Sequence, residues 1–226
     1  MNKNKKLYPS TSFVLFAFFF AVFMLIIYVI SFIDVEPVGP QGSLIGLSGL
    51  NMRVFKFFGY NSGFYTVTEI LGYVAIAVAG GFALLGGYQL ITRKSLKKID
   101  PDLYLLAGFY VLVVAAYVVF ELIVINYRPV LMENELEASF PSSHTMLIIC
   151  IMGTAIHQFY HRIENNLINT LATIGCIIIT VVVVMGRLIS GVHWFTDILG
   201  AVVLSLALLN VYFGGYKLIQ NKLIKE

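Results

Sequence analysis

Gly186-Arg187-Leu188-Ile189-Ser190-Gly191-Val192-His193-Trp194-Phe195-Thr196-Asp197 joins two long apolar runs, residues 167–185 and about 194–216. Arg187, His193 and Asp197 are the only ionisable side chains between residues 180 and 210. Desolvating such groups at bilayer depth is costly, so three together in apolar surroundings point to function. If the chain is helical from His193 onward, Asp197 lies one turn away on the same face. A carboxylate there would fix the imidazole tautomer and favour its charged form. The competing reading is a polar helix end, with Arg187 at the lipid surface and His193 and Asp197 as caps.

Working outward, the composition says membrane. The 226 residues are 59% hydrophobic and 12% charged, and the mean hydropathy is +0.87, whereas soluble domains carry about 25% charged residues. No linker, low-complexity segment or repeat divides the chain, so one membrane domain over 1–226 is expected. The net charge of +3 is small and the basic residues lie at segment ends, which fits topology and not nucleic-acid binding. Cys150 and Cys176 each fall inside an apolar run and read as reduced packing residues.

The fold class that follows is all-α: a six-helix transmembrane bundle. Residues 13–33 are almost wholly apolar and long enough for a retained first span, longer than the apolar part of a signal peptide. Residues 34–65 form a Gly- and Pro-rich loop, and 44–58 within it mix apolar residues with Arg53 and Lys56, the pattern of a short helix lying in the interface. Further spans are expected over 66–91, 103–125, 145–160, 167–185 and about 194–216.

Six spans put both termini on one side. The termini side then carries Lys3, Lys5, Lys6, Arg93, Lys94, Lys97, Lys98, Arg162, Lys217, Lys222 and Lys225; the other has Arg53, Lys56, Arg128 and Arg187. By the positive-inside rule the termini are cytoplasmic. The segments bearing Arg128, His144 and His193 then meet at the outer face.

The outer polar set is Arg128, Ser142, Ser143, His144, Arg187, His193 and Asp197. Two guanidinium forks suit a tetrahedral oxyanion. Ser142 and Ser143 precede a span, where hydroxyls and free N–H groups can cradle an anion. One His backed by a carboxylate is a candidate nucleophile and the other a candidate general acid. Two His and an Asp also suit a metal, but two guanidinium groups in the same pocket would repel a divalent cation. No metal and no cofactor is expected.

Arg128-Pro129, Pro141-Ser142-Ser143-His144 and Arg187-x5-His193-x3-Asp197 resemble the three motifs of the type 2 phosphatidic acid phosphatase family, related to the vanadium haloperoxidases. The resemblance covers about residues 66–216, leaving 1–65 as first span and outer loop. It implies a six-helix membrane phosphatase that needs no metal. By that resemblance His193 attacks phosphorus and forms a phosphohistidine, Asp197 orients His193, His144 protonates the leaving oxygen, and Arg128 and Arg187 hold the phosphate.

Three positions depart from the family pattern. The first motif begins with a Lys seven residues before the Arg; here it is Glu121. Seven residues are two helical turns, so Glu121 and Arg128 can share a face, where Glu121 would weaken anion binding, pair with Arg128 or Arg187, bind a cationic substrate group, or stay protonated through burial. It is a candidate specificity residue. Ser143 stands where the family has Gly. Gly186 stands where it has Ser, removing a hydroxyl from the phosphate cradle.

His157 and His161 are spaced to share a metal, but no further ligand accompanies them. Trp194, Tyr127 and Tyr160 fit an interfacial aromatic belt, and Glu133, Glu135 and Glu137 a solvated loop. Two functions remain open. The first is a lipid phosphatase, with polyprenyl diphosphate, phosphatidic acid and phosphatidylglycerophosphate as candidate substrates. The second is a catalytically weak or inactive lipid-phosphate binding or transport protein, suggested by Glu121.

Overall fold

The computed structural model describes residues 8–224. Lys3, Lys5, Lys6 and Lys225, counted above for orientation, lie outside them. Among the described residues there are seven α-helices and no strand: α1 Pro9–Phe32, α2 Ser48–Phe58, α3 Ser62–Arg93, α4 Pro101–Leu122, α5 Ser143–Arg162, α6 Asn166–Ile189 and α7 Phe195–Leu223. Local chemistry sets their ends. Pro9 and Pro101 open α1 and α4, where a missing N–H costs nothing. The Asn61 side chain caps α3 by accepting from Phe64 N at 3.1 Å. Asn165 caps α6 by accepting from Leu167 N and Ile168 N at 3.0 and 3.1 Å, each a contribution of about 1 kcal/mol.

Five helices are long and apolar enough to cross a membrane: α1, α3, α4, α6 and α7. The expected fourth span is α5, which has 20 residues but is too polar along its length to join them. Its polarity is sheltered by position. α5 packs against α3, α4, α6 and α7 and buries Met146, Ile148, Cys150, Ile151, Met152 and Ala155. α1 lies along α7, and Phe23 of α1 meets Phe120 and Phe140 at ring-centroid distances of 5.5 and 5.7 Å.

α2, expected over 44–58, forms over Ser48–Phe58. It is a bracket over the start of α7: buried Asn51 donates to Thr196 Oγ1 at 3.0 Å and accepts from Thr196 N at 3.2 Å. At the opposite end of the bundle a polar cluster ties three helices together. Arg162 of α5 donates to Asp100 at 2.9 Å and Asp102 at 2.6 Å. Gln89 and Arg93 of α3 donate to Asp100 at 2.7 and 2.8 Å. Burial alone would raise the Asp100 pKa, but hydrogen bonds from Arg93, Gln89 and Arg162 outweigh it and hold the carboxyl at about 2.

Candidate active site

The segment between α4 and α5 doubles back on itself. Arg128 N donates to Glu137 O at 3.1 Å and Ser139 N to Asn126 O at 2.9 Å. This pairing presents Asn126, Arg128 and Ser139 to the start of α7. Trp194 locks the arrangement by donating Nε1–H to Tyr127 O at 2.7 Å. Trp194 is therefore buried, not part of an interfacial belt, whereas Tyr160 is 64% exposed. The α6–α7 connection turns at Gly191, whose φ is +67°. A Cβ there would lie 2.1 Å from the Gly59 carbonyl oxygen, so both the turn and the approach to the α2–α3 connection require glycine.

The expected helix from His193 begins two residues later, at Phe195. His193 is consequently outside α7, and Asp197 sits in its first turn as a cap, accepting from Trp194 N at 2.8 Å. His193 Nδ1 and Asp197 Oδ2 are 3.8 Å apart, beyond hydrogen-bond length. Ser139 fills the gap: its Oγ donates to Asp197 Oδ2 at 2.5 Å and lies 3.0 Å from His193 Nδ1. Asn126 donates to the other Asp197 oxygen at 3.4 Å. His193 Nδ1 also lies 3.1 Å from the Ser139 carbonyl oxygen, which can only accept. Nδ1 must therefore carry a proton, and neutral His193 keeps its lone pair on Nε2. Burial, with the charges of Arg128, Arg187 and His144 around it, pushes the His193 pKa well below 6.5, so the ring is neutral at pH 7.

The arginines stand ready for an anion. Arg187 is fully buried, not at the lipid surface. Its Nη2 pairs with Glu69 Oε1, its guanidinium lies 5.1 Å from the Tyr65 ring centroid, and its Nε and Nη1 have no protein hydrogen-bond partner. Arg128 Nε lies 3.2 Å from Glu137 Oε2, an ion pair without hydrogen-bond alignment. Glu137 is nonetheless 44% exposed, as Glu133 and Glu135 are exposed, in keeping with a solvated loop. His193 Nε2 also lacks a partner. Buried donors left unsatisfied cost about 1–3 kcal/mol each; a tetrahedral oxyanion would satisfy several at once. Guanidinium groups only donate, so this donor set suits an anion and not a cation.

α5 begins between two cavities. One is lined by Tyr117, Glu121, Ser139, Ser143 and His193, the other by Glu69, Gly72 and His144. Ser142, fully buried, caps α5 by accepting from Thr145 N at 3.5 Å. Glu121 is exposed and lines the first cavity, but the shared-face argument fails, because α4 ends at Leu122 and Arg128 lies in the loop. The carboxylates facing the arginines are Glu69 and Glu137 instead.

The sequence reading missed Ser139, Asn126 and Glu69. Glu69 had a signal: it is the only charged residue in the apolar run 66–91. Ser139 and Asn126 had none, since neutral polar residues beside a loop are common. Gly186 gains an explanation. A Cβ there would lie 2.5 Å from Thr68 Cγ2, so the glycine lets α3 approach α6.

The fold and site define an integral membrane helix bundle that gathers buried arginine and histidine side chains at one end. The chain belongs to the PAP2 superfamily, whose family model matches residues 75–219. The fold is similar to that in the "Crystal structure of the first transmembrane PAP2 type phosphatidylglycerolphosphate phosphatase from Bacillus subtilis", with TM-score 0.63 and 19% identity over 91% of this chain and 97% of that chain. A comparison with curated proteins finds no match.

Proposed function

We propose that the protein is a metal-independent phosphatase of a lipid phosphate monoester or diphosphate, acting at the outer leaflet through a phosphohistidine. The observation that carries this is the His193 tautomer: an Nε2 lone pair in a ring kept neutral, beside buried arginine donors without partners. Nε2 attacks phosphorus. The bond from phosphorus to the lipid oxygen breaks, and that oxygen leaves with the bonding electrons and takes a proton from His144. Water then attacks the phosphohistidine, gives its proton to His144, and releases phosphate and free His193. Arg128 and Arg187 hold the equatorial oxygens as charge develops, with Ser142 and Ser143 beside them. Asp197 acts on His193 through Ser139. Glu121, at the cavity wall, selects among headgroups.

We read six spans, with α5 as the fourth and α2 in the interface, and the Lys and Arg distribution supports cytoplasmic termini and an outward-facing site. A lipid substrate is supported by an apolar cavity of about 660 Å³ between α1, α4 and α7, which reaches Phe120, a residue that also lines the His193 cavity. The substrate class comprises polyprenyl diphosphate, phosphatidic acid and phosphatidylglycerophosphate; the last is the substrate named for the Bacillus subtilis structure.

The test is phosphate release by detergent-purified protein, with EDTA present, from a panel of these lipids. Metal-independent release that disappears in His193→Ala is the expected result. Full activity in that variant would remove the nucleophile assignment, and a folded protein inert on every lipid would favour a binding protein.

A further inference from the structure

Glu69 belongs to α3, precedes the segment matched by the family model, and holds no part in the three motifs. Its carboxylate nevertheless stands between two residues of the proposed reaction. Oε1 lies 3.1 Å from His144 Nε2 and pairs with Arg187 Nη2. We propose that Glu69 is a positioning residue that orients His144 as the acid and base of the reaction and supplies its counter-charge; this rests on the phosphatase reading above.

The proton assignment follows from the contact. A carboxylate only accepts, so Nε2 of His144 carries a proton, and the remaining ring nitrogen, Nδ1, has no protein partner. Nδ1 is then the atom that exchanges a proton with the leaving oxygen and with water. To donate, His144 must be an imidazolium. The charged groups around it are Arg187 from α6, Arg128 from the α4–α5 segment and Glu69 from α3, with His193 from the α6–α7 connection also in electrostatic reach. Two guanidinium groups oppose a third positive charge. Glu69 is the anion in direct contact with the ring, and the incoming phosphate adds to its effect.

Two glycines deliver Glu69. Gly186 admits Thr68 of α3 against α6, as its 2.5 Å Cβ separation shows. Gly72, three residues beyond Glu69, admits the His144 ring: a Cβ there would lie 3.2 Å from His144 Cδ2. Gly186 thus makes room for the helix whose carboxylate reaches Arg187.

The experiment compares Glu69→Gln with the wild type and His193→Ala on two esters, a lipid phosphate monoester and p-nitrophenyl phosphate, whose leaving group needs little protonation. Vanadate binding reports whether the pocket is folded. Glu69→Gln should lose kcat on the lipid ester by about tenfold or more, yet less than about threefold on the aryl ester, with the upper pH limb for the lipid ester moved down by about one unit. Gly186→Ala, which displaces α3 without adding a hydroxyl to the pocket, should reproduce the leaving-group pattern. If His193→Ala is inactive on both esters while Glu69→Gln loses both equally, or neither, with its pH limb unmoved, the role of Glu69 is overturned and the phosphatase stands. Turnover surviving in His193→Ala overturns both.

Discussion

Ser139 shows how small a group can connect two large roles. It links His193 to Asp197 by its hydroxyl and fixes the His193 tautomer by its carbonyl. Ser139→Ala removes the first link and keeps the second. We expect kcat to fall about 10–100-fold, short of the 10²–10⁴ of a lost acid or base, with KM little changed; steady-state kinetics on one lipid phosphate decides this. His193 also makes stability depend on pH. Its folded pKa lies below the 6.5 of the unfolded chain, so below about pH 6.5 the unfolded state binds a proton that the folded state does not. Stability should hold above that pH and decline as pH falls through it, a slope that His193→Gln would remove from thermal unfolding measured across pH. At this scale the charged residues were legible because a charge in an apolar run is costly and rarely idle. Arg128, His144, Arg187, His193 and Asp197 all converge. Ser139 was not legible, because a hydroxyl is cheap to bury and its importance comes from a pairing 54 residues distant.

At the scale of elements, apolar runs located the helices, and their ends were misjudged where polar residues continue a helix, as at Ser62 and Arg93 of α3. Two boundaries mattered for chemistry. α4 stops at Leu122, which takes Arg128 off the helix that would have aligned it with Glu121. α7 starts after His193, which replaces a direct His–Asp contact by a bridged one. Neither could be read from periodicity, since both are set by the α4–α5 hairpin and by the turn at Gly191. Gly191→Ala should test the turn. Both its positive φ and its contact with the Gly59 carbonyl resist a side chain, so we expect a loss of at least about 1–3 kcal/mol, seen as a lower midpoint of thermal unfolding in detergent.

Across the whole molecule, the two ends of the bundle are built differently. One end gathers the motifs from loops and helix starts. The other end is cross-tied by Arg162, Asp100, Asp102, Gln89 and Arg93. Arg162→Met should leave Asp100 and Asp102 short of donors and lower the unfolding free energy by about 1–2 kcal/mol, the partly exposed carboxylates recovering some solvation; parallel unfolding and KM measurements would show the stability loss with substrate binding retained. Gln89 fastens α3 at that end, and Glu69 lies 20 residues away along the same helix, about 30 Å at 1.5 Å per residue. α3 is thus fixed at both ends, by Gln89 and Arg93 at one and by the Thr68–Gly186 approach and the Glu69–Arg187 pair at the other. A tilt of about 5° about the Gln89 end alone would swing Glu69 by about 2.6 Å over that length, enough to break its 3.1 Å contact with His144. The second tie therefore keeps so long a helix from leaning, and the contact of Glu69 with His144 is held from both ends of α3.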